Sequence, residues 1–184
     1  MQIKPIFEDE KVLSIVFAFN NDYSKYFAVS LQSIINNSSK DKLYDIIVFN
    51  TDIEENNKRL LYKMLPKNFS LRFYDISAFI RDFFSEIKLK PLNYWSVEMY
   101  YRIFIPFIMP NYSKVLYLDS DIVIEDSLEA LFSIDFKNKK LLVVKDSHLQ
   151  TLNVEKKRLR YNKNSLKLKN PRNYFNSGMI LFNI

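Results

Sequence analysis

The 184 residues contain no cysteine, and only one glycine, one histidine and one tryptophan. Without cysteine there can be no disulfide framework, no thiolate metal site and no cysteine nucleophile, and the chain suits a reducing compartment. The single glycine, Gly178, excludes a Gly-rich dinucleotide loop and a P-loop, because both use several glycines to bring backbone against phosphate. Any nucleotide bound here must have its phosphates held by metal or side chains. No apolar run approaches the roughly 18 residues that a membrane span needs. Residues 1–11 lack the charged stretch followed by an apolar core that marks a signal peptide. These absences predict a cytoplasmic protein, at most peripheral to the inner face of a membrane.

Apolar residues make up 48% of the chain and aromatics 16%, a composition that folds around a core. The length suits one domain, burying roughly two-thirds of its unfolded surface. The formal charge of +6 is unevenly spread. Residues 1–136 carry 15 Lys/Arg against 19 Asp/Glu, and residues 137–184 carry 12 against 2. A C-terminal third this basic points either to a solvated surface or to a polyanionic partner such as phosphates, nucleic acid or an anionic membrane.

Apolar runs and helical periodicity alternate along the chain. Residues 13–19 and 45–49 read as buried strands, and residues 69–74 as an alternating one. Phe27, Leu31, Ile34 and Ile35 recur at helical spacing between the first two. Thr51 and Glu54 match a capping box ahead of a helix striped by Ile53, Leu60, Leu61, Met64 and Leu65, and Pro66 closes it. Residues 76–87 read as helix. Residues 96–109 read as a second helix with a Glu98–Arg102 pair at i, i+4, ended or kinked by Pro106. Strands follow at 115–118, 141–144 and 179–184, with an apolar triplet at 122–124 and a short helix near 127–132. Residues 151–173 begin as helix and continue as loop. This alternation predicts an α/β fold, a mostly parallel central sheet flanked by helices on both faces.

Asp119-Ser120-Asp121 leaves the most hydrophobic of these strands. Bare carboxylates beside a core are costly unless a positive charge pairs with them, so a divalent cation is the natural partner. An EF-hand loop is excluded because its sixth position needs glycine and holds Ile124. A haloacid-dehalogenase phosphatase usually carries this strand near its N-terminus with its remaining acids well downstream, whereas only Asp146 and Glu155 lie beyond residue 136 here. The remaining metal reading is a DxD site holding Mg²⁺ or Mn²⁺ against the diphosphate of a nucleotide-sugar. Ligands of open α/β sheets sit at the carboxyl ends of strands. Residues 20–23, 119–121 and 146 occupy three such exits and predict a single crevice.

Ile15-Val-Phe-Ala18, Tyr23, Tyr101-Arg-Ile103, Val115-Leu-Tyr-Leu-Asp-Ser-Asp-Ile-Val123 and Tyr174-Phe-Asn-Ser-Gly-Met-Ile-Leu-Phe-Asn183 together resemble glycosyltransferase family 8. That family includes bacterial lipooligosaccharide galactosyltransferases and the glycogenins. The resemblance implies a GT-A fold, Mn²⁺ (or Mg²⁺), a UDP-glucose or UDP-galactose donor, and transfer with retention to a glycan or lipid-linked saccharide. Carried over by motif, Ala18, Asn20, Asp22 and Tyr23 surround uracil and ribose. Arg102 contacts the donor, Asp119, Ser120 and Asp121 meet ribose and metal, Asn176 and Ser177 touch the donor sugar, and Asp146 lies on the acceptor side. Asn20 stands where the family commonly has Asp. The family's later His-x-x-Gly-x-x-Lys-Pro segment, with a metal-binding His and a diphosphate-binding Lys, has no match here, and His148 does not correspond to that His. The sequence thus reads as a single donor-binding domain over 1–184, C-terminally incomplete relative to the family. The alternative is a truncated, non-catalytic remnant that binds nucleotide-sugar. The basic third would face the acceptor or an anionic membrane surface, and no nucleic acid is expected.

Overall fold

The computed structural model describes residues 2–7, 12–83, 97–150 and 156–184. Six strands form one sheet in the order β3-β2-β1-β4-β6-β5. They are β1 (Val12–Ala18), β2 (Leu43–Asn50), β3 (Phe69–Asp75), β4 (Lys114–Leu118), β5 (Leu141–Lys145) and β6 (Phe175–Asn183). β1, β2, β3 and β4 pair in parallel, while β6 runs antiparallel to both β4 and β5. The expected mostly parallel sheet is therefore present, with β6 alone reversed. That reversal brings the start of β6 to the edge where β1, β4 and β5 end.

Helices cover both faces because both faces of the inner strands are apolar. On one side α1 (Ser24–Asn36) and α2 (Glu55–Tyr62) bury Phe27, Leu31, Ile34 and Leu61 against Leu13, Ile15, Phe17 and Leu116. On the other, α3 (Ser77–Phe83), a 3-10 helix at Val97–Phe104 and α4 (Ile105–Ile108) place Ile80, Tyr101, Phe104 and Ile108 on Val16, Ile47, Val115 and Tyr117. Two short helices, α5 (Glu129–Phe132) and α6 (Lys156–Asn164), complete the α-helices among the described residues.

Several local expectations change. The helix read at 76–87 is seen as α3; residues 84–87 lie outside the described ones, as do residue 96 and residues 151–155 of the basic stretch. Residues 97–109 are a 3-10 turn run followed by α4, with Pro106 inside the first turn of α4, where its missing N–H costs nothing. The Thr51 capping box does not form. Glu54 itself occupies the N-cap of α2 without a side-chain cap bond, and the Thr51 hydroxyl donates instead to Glu98 Oε1 at 2.8 Å. The apolar triplet 122–124 is not a strand. It is an irregular segment fastened to α1: Ser30 Oγ donates to the carbonyls of Ser120 and Ile122, Ile124 N–H donates to Ser33 Oγ, and Asn37 donates to the Ile124 carbonyl. These bonds fix how the chain leaves β4.

Candidate active-site crevice

A crevice of about 590 Å³ opens at the edge shared by the ends of β1, β4 and β5 and the start of β6. Ala18, Asn20, Tyr23, Arg102, Asp119, Ser120, Asp121, Asp146, Asn176 and Ser177 all line it. Asp22 does not. It is exposed on the 3-10 turn Asn21–Tyr23 and borders a separate hollow with Ser24 and Lys25. Phe19, Met99, Arg158, Tyr174 and Phe175 also line the crevice. Arg158 was not legible as a site residue, because in sequence it is one cation among many in a basic run.

Asp119 is tightly held. Its Oδ1 takes an ion pair from Arg102 Nη2 at 3.0 Å and the Tyr117 hydroxyl at 3.0 Å. Its backbone N–H donates to the Gly178 carbonyl at 2.8 Å, extending the β4–β6 ladder by one step. A Cβ built on Gly178 would lie 2.4 Å from Asp119 Oδ2, so only glycine admits the carboxylate there. Burial pushes the Tyr117 phenol strongly up; Arg102 opposes this and Asp119 adds to it, so Tyr117 stays protonated and able to donate.

Arg102 is not Glu98's partner, because a 3-10 run does not align i with i+4. It is buried, and each of its three nitrogens has a partner. Nε donates to the Met99 carbonyl, Nη1 to the Ser177 carbonyl and Nη2 to Asp119, while the guanidinium lies 4.4 Å from the Tyr117 ring centroid. It ties the 3-10 helix to β4 and β6.

The β5–β6 register shifts between Val143 and Val144, so Ser177, Gly178 and Met179 bulge away from β5. The bulge presents Asn176 and Ser177 to the crevice. Asn176 Oδ1 accepts the Gly178 N–H at 2.7 Å, which leaves its amide donors for a ligand. Asp146 is anchored at the end of β5: its N–H donates to the Tyr174 carbonyl, its Oδ1 accepts the His148 N–H, and its Oδ2 pairs with Arg158 at 2.6 Å. Among the described residues, two buried side-chain oxygens lack a hydrogen-bond partner, Asn20 Oδ1 and Ser24 Oγ. The first belongs to a crevice residue, and an orphaned buried acceptor is costly unless a ligand donates to it.

Three carboxylates and two guanidiniums line the crevice, a formal excess of one negative charge. A diphosphate would be repelled unless a cation entered with it. Asp119 and Asp121 offer hard oxygen donors of the kind Mg²⁺ and Mn²⁺ prefer, and Asp121 makes no hydrogen bond or ion pair to the described residues. Among the described residues no third His, Cys, Asp or Glu joins them. The pair fits a divalent ion whose remaining positions are filled by ligand oxygens and water. No helix among the described residues is long and apolar enough to cross a membrane.

Residues 14–184 match the sequence profile of glycosyl transferase family 8. Glycosyltransferase GlyB of Streptococcus pneumoniae is 30% identical over 93% of this chain and 36% of its own length. A putative glycosyltransferase of Haemophilus influenzae is 26% identical over 95% of this chain and 49% of its own. The lipopolysaccharide 1,2-glucosyltransferase of Escherichia coli is 25% identical over 98% of this chain and 50% of its own. The chain thus spans half or less of these relatives. Among solved structures, the bifunctional glycosyltransferase WbbM superposes with a TM-score of 0.81 at 29% identity, over 99% of this chain and 33% of that one. The galactosyltransferase LgtC, solved with donor and acceptor sugar analogues, has the same GT-A fold, with a TM-score of 0.72 at 24% identity over 93% of this chain and 58% of that one. In fold, and in a profile match that takes in β4 and the Asp119–Asp121 pair at its exit, the chain belongs to glycosyl transferase family 8.

Proposed function

We propose that the crevice binds a UDP-hexose, UDP-glucose or UDP-galactose, together with Mn²⁺ or Mg²⁺ and passes the hexose, with retention, to a glycan or lipid-linked saccharide. The observation that carries this reading is the Asp119–Asp121 pair. Two carboxylates stand at the exit of a buried strand inside a crevice whose net charge would otherwise repel a diphosphate. Asn20 Oδ1 gives the base a ready acceptor, which suits the imide N–H of uracil. Ala18 and Tyr23 complete the uridine end, and Asn176 offers its amide to a sugar hydroxyl at the other. Asp119 and Asp121 would hold the cation, which neutralises charge on the departing diphosphate. Arg102 would act mainly by keeping Asp119 and the Ser177 carbonyl in place. Asp22, on its neighbouring hollow, is left with no role in this scheme.

Calorimetric titration of UDP in the presence and absence of Mn²⁺ tests the reading. Binding should require Mn²⁺, and Asp121→Ala should abolish that requirement along with the tight binding. Undiminished binding in the variant would reject the metal site.

A second reading, a nucleotide-sugar-binding chain without turnover, is favoured by one feature: the described residues bring two ligating side chains to the cation, not three. Hydrolysis or transfer from a UDP-hexose with Mn²⁺ would eliminate it.

A further inference from the structure

We propose, on the reading that the crevice takes a UDP-sugar, that Arg158 is its diphosphate-binding side chain and that Asp146 holds it in reserve until the donor arrives. Among the described residues the crevice offers two cations, Arg102 and Arg158. Arg102 is committed. All three of its nitrogens are bonded, its side chain is 11% exposed, and it stacks on Tyr117. Turning it toward a phosphate would undo the anchorage of Asp119 and of the β6 bulge together.

Arg158 is placed differently. Its side chain is 40% exposed, and among the described residues its one bond runs from Nη2 to Asp146 Oδ2. The rest of the fork, which suits phosphate oxygens two at a time, remains available. It rides on α6, whose Lys156, Lys157, Arg160 and Lys163 are exposed and add a positive field at that side of the crevice. Asp146 is the fixed post of the pair, because its N–H is tied to the Tyr174 carbonyl just ahead of β6 and its Oδ1 to the His148 N–H. Arg158 is the arm that can swing.

The exchange has a consequence for the acceptor side. A diphosphate that draws Arg158 away leaves Asp146 Oδ2 without its partner, ready to accept a bond from an incoming hydroxyl. Donor entry thereby completes the acceptor site, and the order of binding follows from one ion pair.

The test is calorimetry of UDP and of uridine, both with Mn²⁺, on wild type, Arg158→Ala and Asp146→Asn. Arg158→Ala should weaken UDP binding about tenfold, the effect of one charge-assisted bond, and leave uridine unchanged. Asp146→Asn should tighten UDP binding several-fold, because it weakens the competitor for Arg158. An ion pair that only props up the fold would move both variants the same way. The proposal is overturned if Arg158→Ala binds UDP as wild type does or loses uridine to the same degree, or if Asp146→Asn binds UDP no more tightly than wild type. Should Arg158→Ala fail to fold, the Asp146→Asn result decides alone. A wild-type protein that binds UDP while these signs fail overturns the Arg158 assignment and spares the donor reading. One that binds neither UDP nor uridine defeats both.

Discussion

Gly178 and Asp119 share one small space. Gly178 is the chain's sole glycine, and it is needed for close approach, with no positive φ involved. Gly178→Ala should drive the new methyl into Asp119 Oδ2, lowering stability by about 1–3 kcal/mol as overpacking does and disordering Mn²⁺-dependent UDP binding. Thermal unfolding of Gly178→Ala, Asp119→Ala and the double variant checks the cause. The double variant should recover part of the lost Tm, because the clash has gone. Additive losses would place the strain elsewhere. Asn20 offers the opposite balance. Its unpartnered Oδ1 weakens the free protein, at a cost of order 1–3 kcal/mol. Asn20→Ala should therefore unfold at or above the wild-type Tm while binding uridine less tightly. A lower Tm with unchanged uridine affinity would remove Asn20 from the base site. Both residues stand out in the sequence, one by rarity and one by position after a strand. The close approach of Gly178 to Asp119 and the burial of Asn20 Oδ1 without a partner arise only in the fold and are invisible in the sequence.

At the scale of elements, the strands and α1 were legible because each is a run or stripe of apolar residues long enough to show its period. The segments that failed were those where a side chain is claimed by a distant partner. Ser30 and Ser33, polar residues within α1, are buried and fasten the chain around Asp121. Glu98 and Arg102 have correct helical spacing, but the 3-10 winding turns them toward Thr51 and Asp119. A buried ion pair joins β2 to β3 in the same hidden way. Arg72 Nε and Nη2 grip both oxygens of Asp45, and Tyr112, Tyr74 and the Lys4 carbonyl complete the cluster. Burial pushes the Asp45 carboxyl up against the pull of Arg72. Burial alone would lower Arg72, but its bonds to Asp45 outweigh that and hold it charged. Asp45→Ala should cost about 3–5 kcal/mol, because it strands a guanidinium inside the fold. Urea denaturation checks this; a loss below about 1 kcal/mol would mean that water replaces the carboxylate freely.

At the scale of the whole fold, four tyrosines among the described residues, Tyr44, Tyr101, Tyr112 and Tyr117, are buried and have raised phenol pKa values, desolvation being the chief cause in each. Tyr44 rises from an ordinary 10.0 to about 12. A raised folded pKa means that the fold binds the proton more tightly than the unfolded chain does. The associated stability is complete below pH 10 and drains away as pH climbs from 10 toward 12 and beyond. Cooperative unfolding should therefore set in above pH 10, with tyrosinate absorbance rising together with loss of circular dichroism. Smooth titration of all the tyrosines at their ordinary value, with the fold intact, would contradict their burial.

The sequence by itself determined the α/β alternation, the carboxylate pair at a strand exit, the exclusion of a glycine-cradled phosphate and the uneven charge. Each of these is a property of local pattern or composition, and none needs a distant partner to be read. Tertiary structure decided the rest. The reversed direction of β6 carries Asn176, Ser177 and Gly178 to the ends of β1 and β4, more than 50 residues along the chain from Asp119. Tertiary packing also sets Arg102 on Asp119 and Arg158 on Asp146. Pairings across such separations depend on strand direction and register, and short-range periodicity holds no record of either.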